Sequence, residues 1–114
     1  MTIIIDPQVS GISGNMLVGA FVDLGADSDN LKEIMEKVSS EFGKIEVTFS
    51  KINKNGINST YCNVKMMEES KVLHFNEFIS KIKKLDLEDF IIEKSINVFK
   101  RIAISESKIH GNNL

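Results

Sequence analysis

The spacing of apolar residues changes repeatedly along this chain, and each change marks an element. Thr2 to Ile5 is a short apolar run that stops at Asp6 and predicts an opening strand. Met16, Leu17, Ala20, Phe21 and Leu24 recur at helical spacing, and Gly25 stops that helix in the C′ manner. Asp27-Ser28-Asp29-Asn30 supplies N-cap candidates for a second helix carrying Leu31, Ile34, Met35, Val38 and Phe42, which ends near Gly43. Two helices so close in sequence predict an antiparallel pair. The period then falls to two: Ile45, Val47 and Phe49 alternate with polar residues. Asn53-Lys54-Asn55-Gly56 predicts a hairpin turn, and Cys62, Val64 and Met66 fall on one face of the return strand. A short helix from about Asn76, its expected cap, to Leu85 turns Phe78, Ile79 and Ile82 inward. Asp86 is the expected cap of a last helix from about Leu87 to His110, closed by Gly111.

The order β-α-α-β-β-α-α predicts an α+β domain, a small, mostly antiparallel sheet of about three strands covered by four helices. A doubly wound parallel sheet would need more βα alternation. At 114 residues the chain reads as a single domain, residues 1–114, without repeats or linkers. A hydrophobic content of 42% with 26% charge fits a folded chain rather than a disordered one. The net charge is −2, and the densest basic run, Lys81-Ile82-Lys83-Lys84, reads as a solvated helix face, so no nucleic-acid partner is expected. No apolar stretch approaches the roughly 20 residues that span a bilayer, so no membrane partner is expected. The lone Cys62 excludes an internal disulfide, and with no basic leader ahead of Ile3 a reducing cytoplasm is the expected location. Cys62 itself has no histidine or basic neighbour in register and reads as core, as do Met66 and Met67.

Two features exceed what a core requires. The first is the segment from Asp6 to Met16. Its Ser10, Gly11, Ser13, Gly14 and Asn15 lie between a strand end and a helix start, where backbone can approach an anion. A capping role accounts for one serine and leaves the other, with both glycines, unexplained. The loop lacks the Gly-Lys-Ser/Thr ending of a Walker loop, and Gln8 stands where a haloacid-dehalogenase phosphatase would carry a second aspartate. What remains is a cradle for one phosphate or carboxylate, with Asp6 suited to a metal, a ribose hydroxyl or a protonated ring.

The second feature is in the last helix. At ~100° per residue, Ile92, Ile96, Phe99 and Ala103 form an apolar row whose next members are Glu106 and His110. A carboxylate and an imidazole at i, i+4 can converge on one metal ion or share a proton. An exposed helix end, with His110 favoured by the helix dipole, explains the same pattern. His74, between Leu73 and Phe75, reads as structural.

Asp6-Pro7, Ser10-Gly11-Ile12-Ser13-Gly14-Asn15-Met16-Leu17 and Asp23-Leu24-Gly25 resemble the opening of the LarC family. These are the nickel insertion proteins for the pyridinium-3,5-bisthiocarboxylic acid mononucleotide cofactor of lactate racemase. Asn55-Gly56-Ile57 and Glu106-Ser107-Lys108-Ile109-His110-Gly111 fit the same family in order and spacing, so the likeness covers nearly the whole chain. Departures are Asn15 in place of the family's usual aspartate, a histidine-rich segment reduced to His74, and the end at Leu114 before a further histidine and glutamate cluster.

The resemblance implies nickel chelatase (lyase) activity in which nickel enters an organic ligand at the expense of CTP with a divalent cation. The family's CTP-handling part is its C-terminal portion, an implied partner, and this chain corresponds to the N-terminal portion, not expected to act alone. Asp6, Ser10, Gly11, Ser13, Gly14 and Asn15 are then expected to hold the phosphorylated small molecule. Glu106 and His110 are expected to hold nickel. Both sets are expected to meet in one pocket. The competing expectation is a non-catalytic interaction domain or a phosphate-binding module; a homo-oligomer fits either.

Overall fold

The computed structural model describes residues 1–68 and 73–111, with the His110 side chain outside the description. It divides into two compact units, Met1–Ser70 and Lys71–Leu114. The first holds α1 (Gly14–Asp23), α2 (Ser28–Ser39), β1 (Ile45–Lys54) and β2 (Ile57–Met66); the second holds α3 (Phe75–Lys83) and α4 (Asp89–His110). Four helices with an antiparallel sheet make this an α+β chain, as the pattern predicts.

Among the described residues the sheet has two strands, not about three. Thr2–Ile5 joins no ladder, and Ile3, Ile4 and Ile5 are all exposed. An apolar run specifies a strand only where it finds a neighbouring edge to pair with, and here β1 and β2 pair only with each other. Antiparallel pairing runs from Ile45↔Met66 to Lys54↔Ile57. Asn55 (φ 53°) and Gly56 (φ 83°) make the two-residue turn, both in the left-handed region that such a turn requires. The bond from Met67 N to Lys44 O (2.8 Å) sets the phase of the ladder, so the Val47 and Cys62 carbonyls point away from the partner strand. Lys32 Nζ in α2 donates to Val47 O (2.7 Å), and Asn15 Nδ2 in α1 donates to Cys62 O (3.2 Å). Each helix therefore supplies a donor to one outward carbonyl, α1 to β2 and α2 to β1.

The core of this unit is small, with Val47 and Cys62 fully buried. Burial of Cys62 matches its reading as core. Met66 and Met67, expected in the core as well, are exposed, and so is Val64, although it pairs directly with the buried Val47. The α1 face is also corrected. Gly19 is buried and Met16, Ala20, Phe21 and Leu24 are exposed, so the helix is rotated from the expected contact. A Cβ on Gly19 would lie 2.6 Å from Thr60 O, and only glycine allows this approach.

In α2, Asp27 Oδ1 accepts from Asp29 N (3.0 Å) and Asn30 N (3.2 Å), the cap that the sequence offers. α3 begins a residue earlier than expected, with His74 and not Asn76 at its N-cap. α4 begins at Asp89 with Glu88 at its N-cap, because Leu87 N turns back to Leu85 O (2.9 Å). Among the described residues of the second unit Ile79, Ile82 and Ile96 are buried, and the Phe78 and Phe99 rings meet edge to face at 4.5 Å. Among the described residues no helix is long and apolar enough to cross a membrane.

Candidate functional site

The loop ahead of α1 is built from its own backbone. Asp6 Oδ1 accepts from Gln8 N (3.0 Å), which closes a turn through Pro7, and Gly11 N donates to Pro7 O (2.9 Å). Gly11 sits at φ 74°, so the chain reverses there without the strain a side chain would bring. Residues 1–14 are exposed throughout. Ser13 occupies the N-cap with extended backbone, yet its hydroxyl makes no capping bond; it donates instead to Asn15 Oδ1 (2.6 Å). Asn15 in turn reaches the Cys62 carbonyl. Neither serine caps α1, and its opening N–H groups have no side-chain acceptor from Ser13.

Beside this loop, the exposed apolar face of α1 and β2 lines a cavity of about 650 Å³ with the Thr2–Ile5 segment. Asn15 and Met16 line it at the loop end, Phe21 and Tyr61 along its walls. At its other end Asp23 Oδ1 accepts from the Thr60 hydroxyl (2.8 Å) and from Lys51 Nζ (3.0 Å), and Lys51 also donates to the Thr60 hydroxyl (2.9 Å). The Thr60 hydroxyl and then the Lys51 ammonium hold the Asp23 carboxyl below the ordinary carboxylate range. A depressed folded pKa gives stability that is complete above the unfolded value of about 4 and lost as pH falls through the folded one. Thermal melts against pH should therefore place Asp23→Asn below the parent at pH 7, with the two converging as pH falls below the ordinary carboxylate range.

Cys62 also lines the cavity but is buried, and burial pushes its thiol pKa up. Labelling of Cys62 by an aromatic disulfide at neutral pH should be slower than in the urea-unfolded chain by roughly a hundredfold, reporting local opening.

The expected metal pair lies on the second unit. Glu106 is exposed in the last half of α4, beyond Phe99 and the half-buried Ala103. His110 ends the helix, and its side chain lies outside the described residues; Gly111 follows at φ 67°. Among the described residues no three of His, Cys, Asp and Glu gather in a metal-holding group. Asp6 and the loop glycines belong to the first unit. The Asp23–Lys51–Thr60 cluster is absent from the expectations. The turn at Asn55-Gly56 would have paired Lys51 with Thr60, but nothing local ties Asp23 to them.

The family model described as nickel insertion protein matches residues 3–114, and the chain belongs to that family. A Methanosphaera stadtmanae relative bearing the nickel insertion name is 41% identical over 122 residues, covering 100% of this chain and 30% of its own length. A pyridinium-3,5-bisthiocarboxylic acid mononucleotide nickel insertion protein of Thermotoga sp. strain RQ2 is 36% identical, covering 94% of this chain and 29% of its own. The protein of the same name from Geobacillus kaustophilus is 31% identical, covering 90% and 27%. The chain thus spans about 30% of the length of the curated relatives it matches. No solved structure matches it.

Proposed function

We propose that this chain is the N-terminal, substrate-holding portion of a nickel insertion protein that metallates a pyridinium bisthiocarboxylate mononucleotide. The observation that carries this reading is the loop: the Ser13 hydroxyl is engaged by the Asn15 side chain and makes no capping bond, which leaves the α1 N-terminus to an outside anion. A mononucleotide carries one phosphate, and the loop offers one cradle, formed by Ser10, Gly11, Ser13, Gly14 and Asn15, with Asp6 beside it for a ribose hydroxyl. Glu106 and His110 present an oxygen and a nitrogen to nickel from one face of α4, and residues beyond this pair complete its coordination. On the family resemblance, CTP and its divalent cation act in the remaining portion of the protein, and the product serves lactate racemase in the cytoplasm.

Calorimetric titration of the full chain with nickel tests the metal half: the double variant Glu106→Ala, His110→Ala should bind at least about tenfold more weakly. Equal affinity would sink it.

A specific observation favours a second reading. Ile91, Val98, Ile102 and Ile109 fall within about 40° on α4 and are all exposed, a row that suits a protein partner. On that reading stability rises with protein concentration and is indifferent to nickel.

A further inference from the structure

We infer that the cavity between Thr2–Ile5, α1 and β2 is the seat of the substrate's heteroaromatic ring. This rests on the reading of the neighbouring loop as the phosphate cradle. Three observations carry it. The cavity and the loop are continuous, because Asn15 and Met16, which open α1, also line the cavity. A molecule with its phosphate at the helix start therefore has its body directed along the α1 face.

The volume, about 650 Å³, is that of a small-molecule site, which is usually apolar with a few polar groups. The walls have that composition: Ile5, Ala20, Phe21 and Leu24 are apolar, and Ser59 and Tyr61 carry hydroxyls. The face of α1 that periodicity assigns to the core is largely open here, with Met16, Ala20, Phe21 and Leu24 exposed.

Charge is the third observation. Lys54 lines the cavity and is exposed, and it offers an ammonium to an acidic ring substituent. Asp23, the carboxylate at the far end, is already answered by Lys51 and Thr60 and does not repel one. A flat ring with acidic substituents, joined through a sugar to one phosphate, meets each part of this surface.

Two probes separate the ring from the phosphate: nicotinic acid mononucleotide, a pyridinium carboxylate nucleotide, and ribose 5-phosphate, which has no ring substituent. In amide-resolved NMR titration of the full chain, the nucleotide should shift Ile4, Ala20 and Tyr61 together with Gly11–Asn15. Ribose 5-phosphate should shift Gly11–Asn15 only. Ala20→Leu, which fills the cavity, and Lys54→Ala, at an exposed position, should each weaken the nucleotide about tenfold and leave ribose 5-phosphate unchanged. Shifts confined to the loop with both probes, or unchanged nucleotide affinity in both variants, would overturn the ring seat while leaving the cradle intact. Absence of loop shifts with either probe would overturn the cradle, and the ring seat with it.

Discussion

Gly19→Ala is expected to destabilise the Met1–Ser70 unit by about 1–3 kcal/mol, although alanine is the better helix former by about 1 kcal/mol. The reason is what the new methyl would meet. An ideal Cβ at Gly19 falls 2.6 Å from Thr60 O and 3.4 Å from Cys62 N, both backbone atoms of β2. A flexible side chain could swing aside; a strand already paired along its length to β1 cannot. Relief has to come from α1 moving off the hairpin, which also stretches the Asn15–Cys62 bond and uncovers Cys62. Urea titration followed by circular dichroism should show the lower midpoint, and Cys62 labelling should accelerate. Gly14→Ala is the control: a Cβ there meets nothing within 4 Å, so the propensity gain should remain. Equal stability of Gly19→Ala and the parent would mean that α1 does not lie against β2 as described.

The same glycine explains much of what the sequence left unread. α1 is apolar nearly all round, with Met16, Leu17, Val18, Ala20, Phe21, Val22 and Leu24 in one stretch, so periodicity alone does not select a buried face. Close approach at Gly19 selects it, and that is a tertiary fact. The hairpin was legible because its period of two and its Asn55-Gly56 turn are local and agree with each other. Thr2–Ile5 has the composition of a strand but joins no ladder, because pairing is a tertiary choice that composition alone does not carry. The α2 cap was legible because an aspartate reaches its own helix two and three residues on.

For the site, the loop's turns were implied by glycine and proline, but the turn of Ser13 towards Asn15 was not, since either residue can cap. The cavity had no sequence signal at all. It follows from the rotation of α1, which leaves as its wall a face that would otherwise be core. The row ending in Glu106 and His110 was legible as a row, and the burial of Ile96 with the exposure of Glu106 follows its course from core to surface.

That course makes Ile96 the residue on which the proposed nickel pair depends most. Ile96→Ala is expected to cost about 2–4 kcal/mol, since the side chain is buried and its loss leaves a cavity between α3 and α4. Among the described residues of the second unit Ile79, Ile82 and Ile96 are the buried ones, and the Phe78 and Phe99 rings pack edge to face. Glu106 and His110 are held at their spacing only while α4 stays helical, and in a protein most of a helix's stability comes from the packing of its apolar face. Nickel affinity should therefore fall with helix content in Ile96→Ala, and recover as added nickel refolds the segment by mass action. Ile109→Ala, beside His110 but exposed, should change neither helix content nor affinity. If Ile96→Ala melted the helical unit and nickel still bound with parental affinity, the metal would be held by residues whose placement does not require α4, and the assignment of Glu106 and His110 would fail.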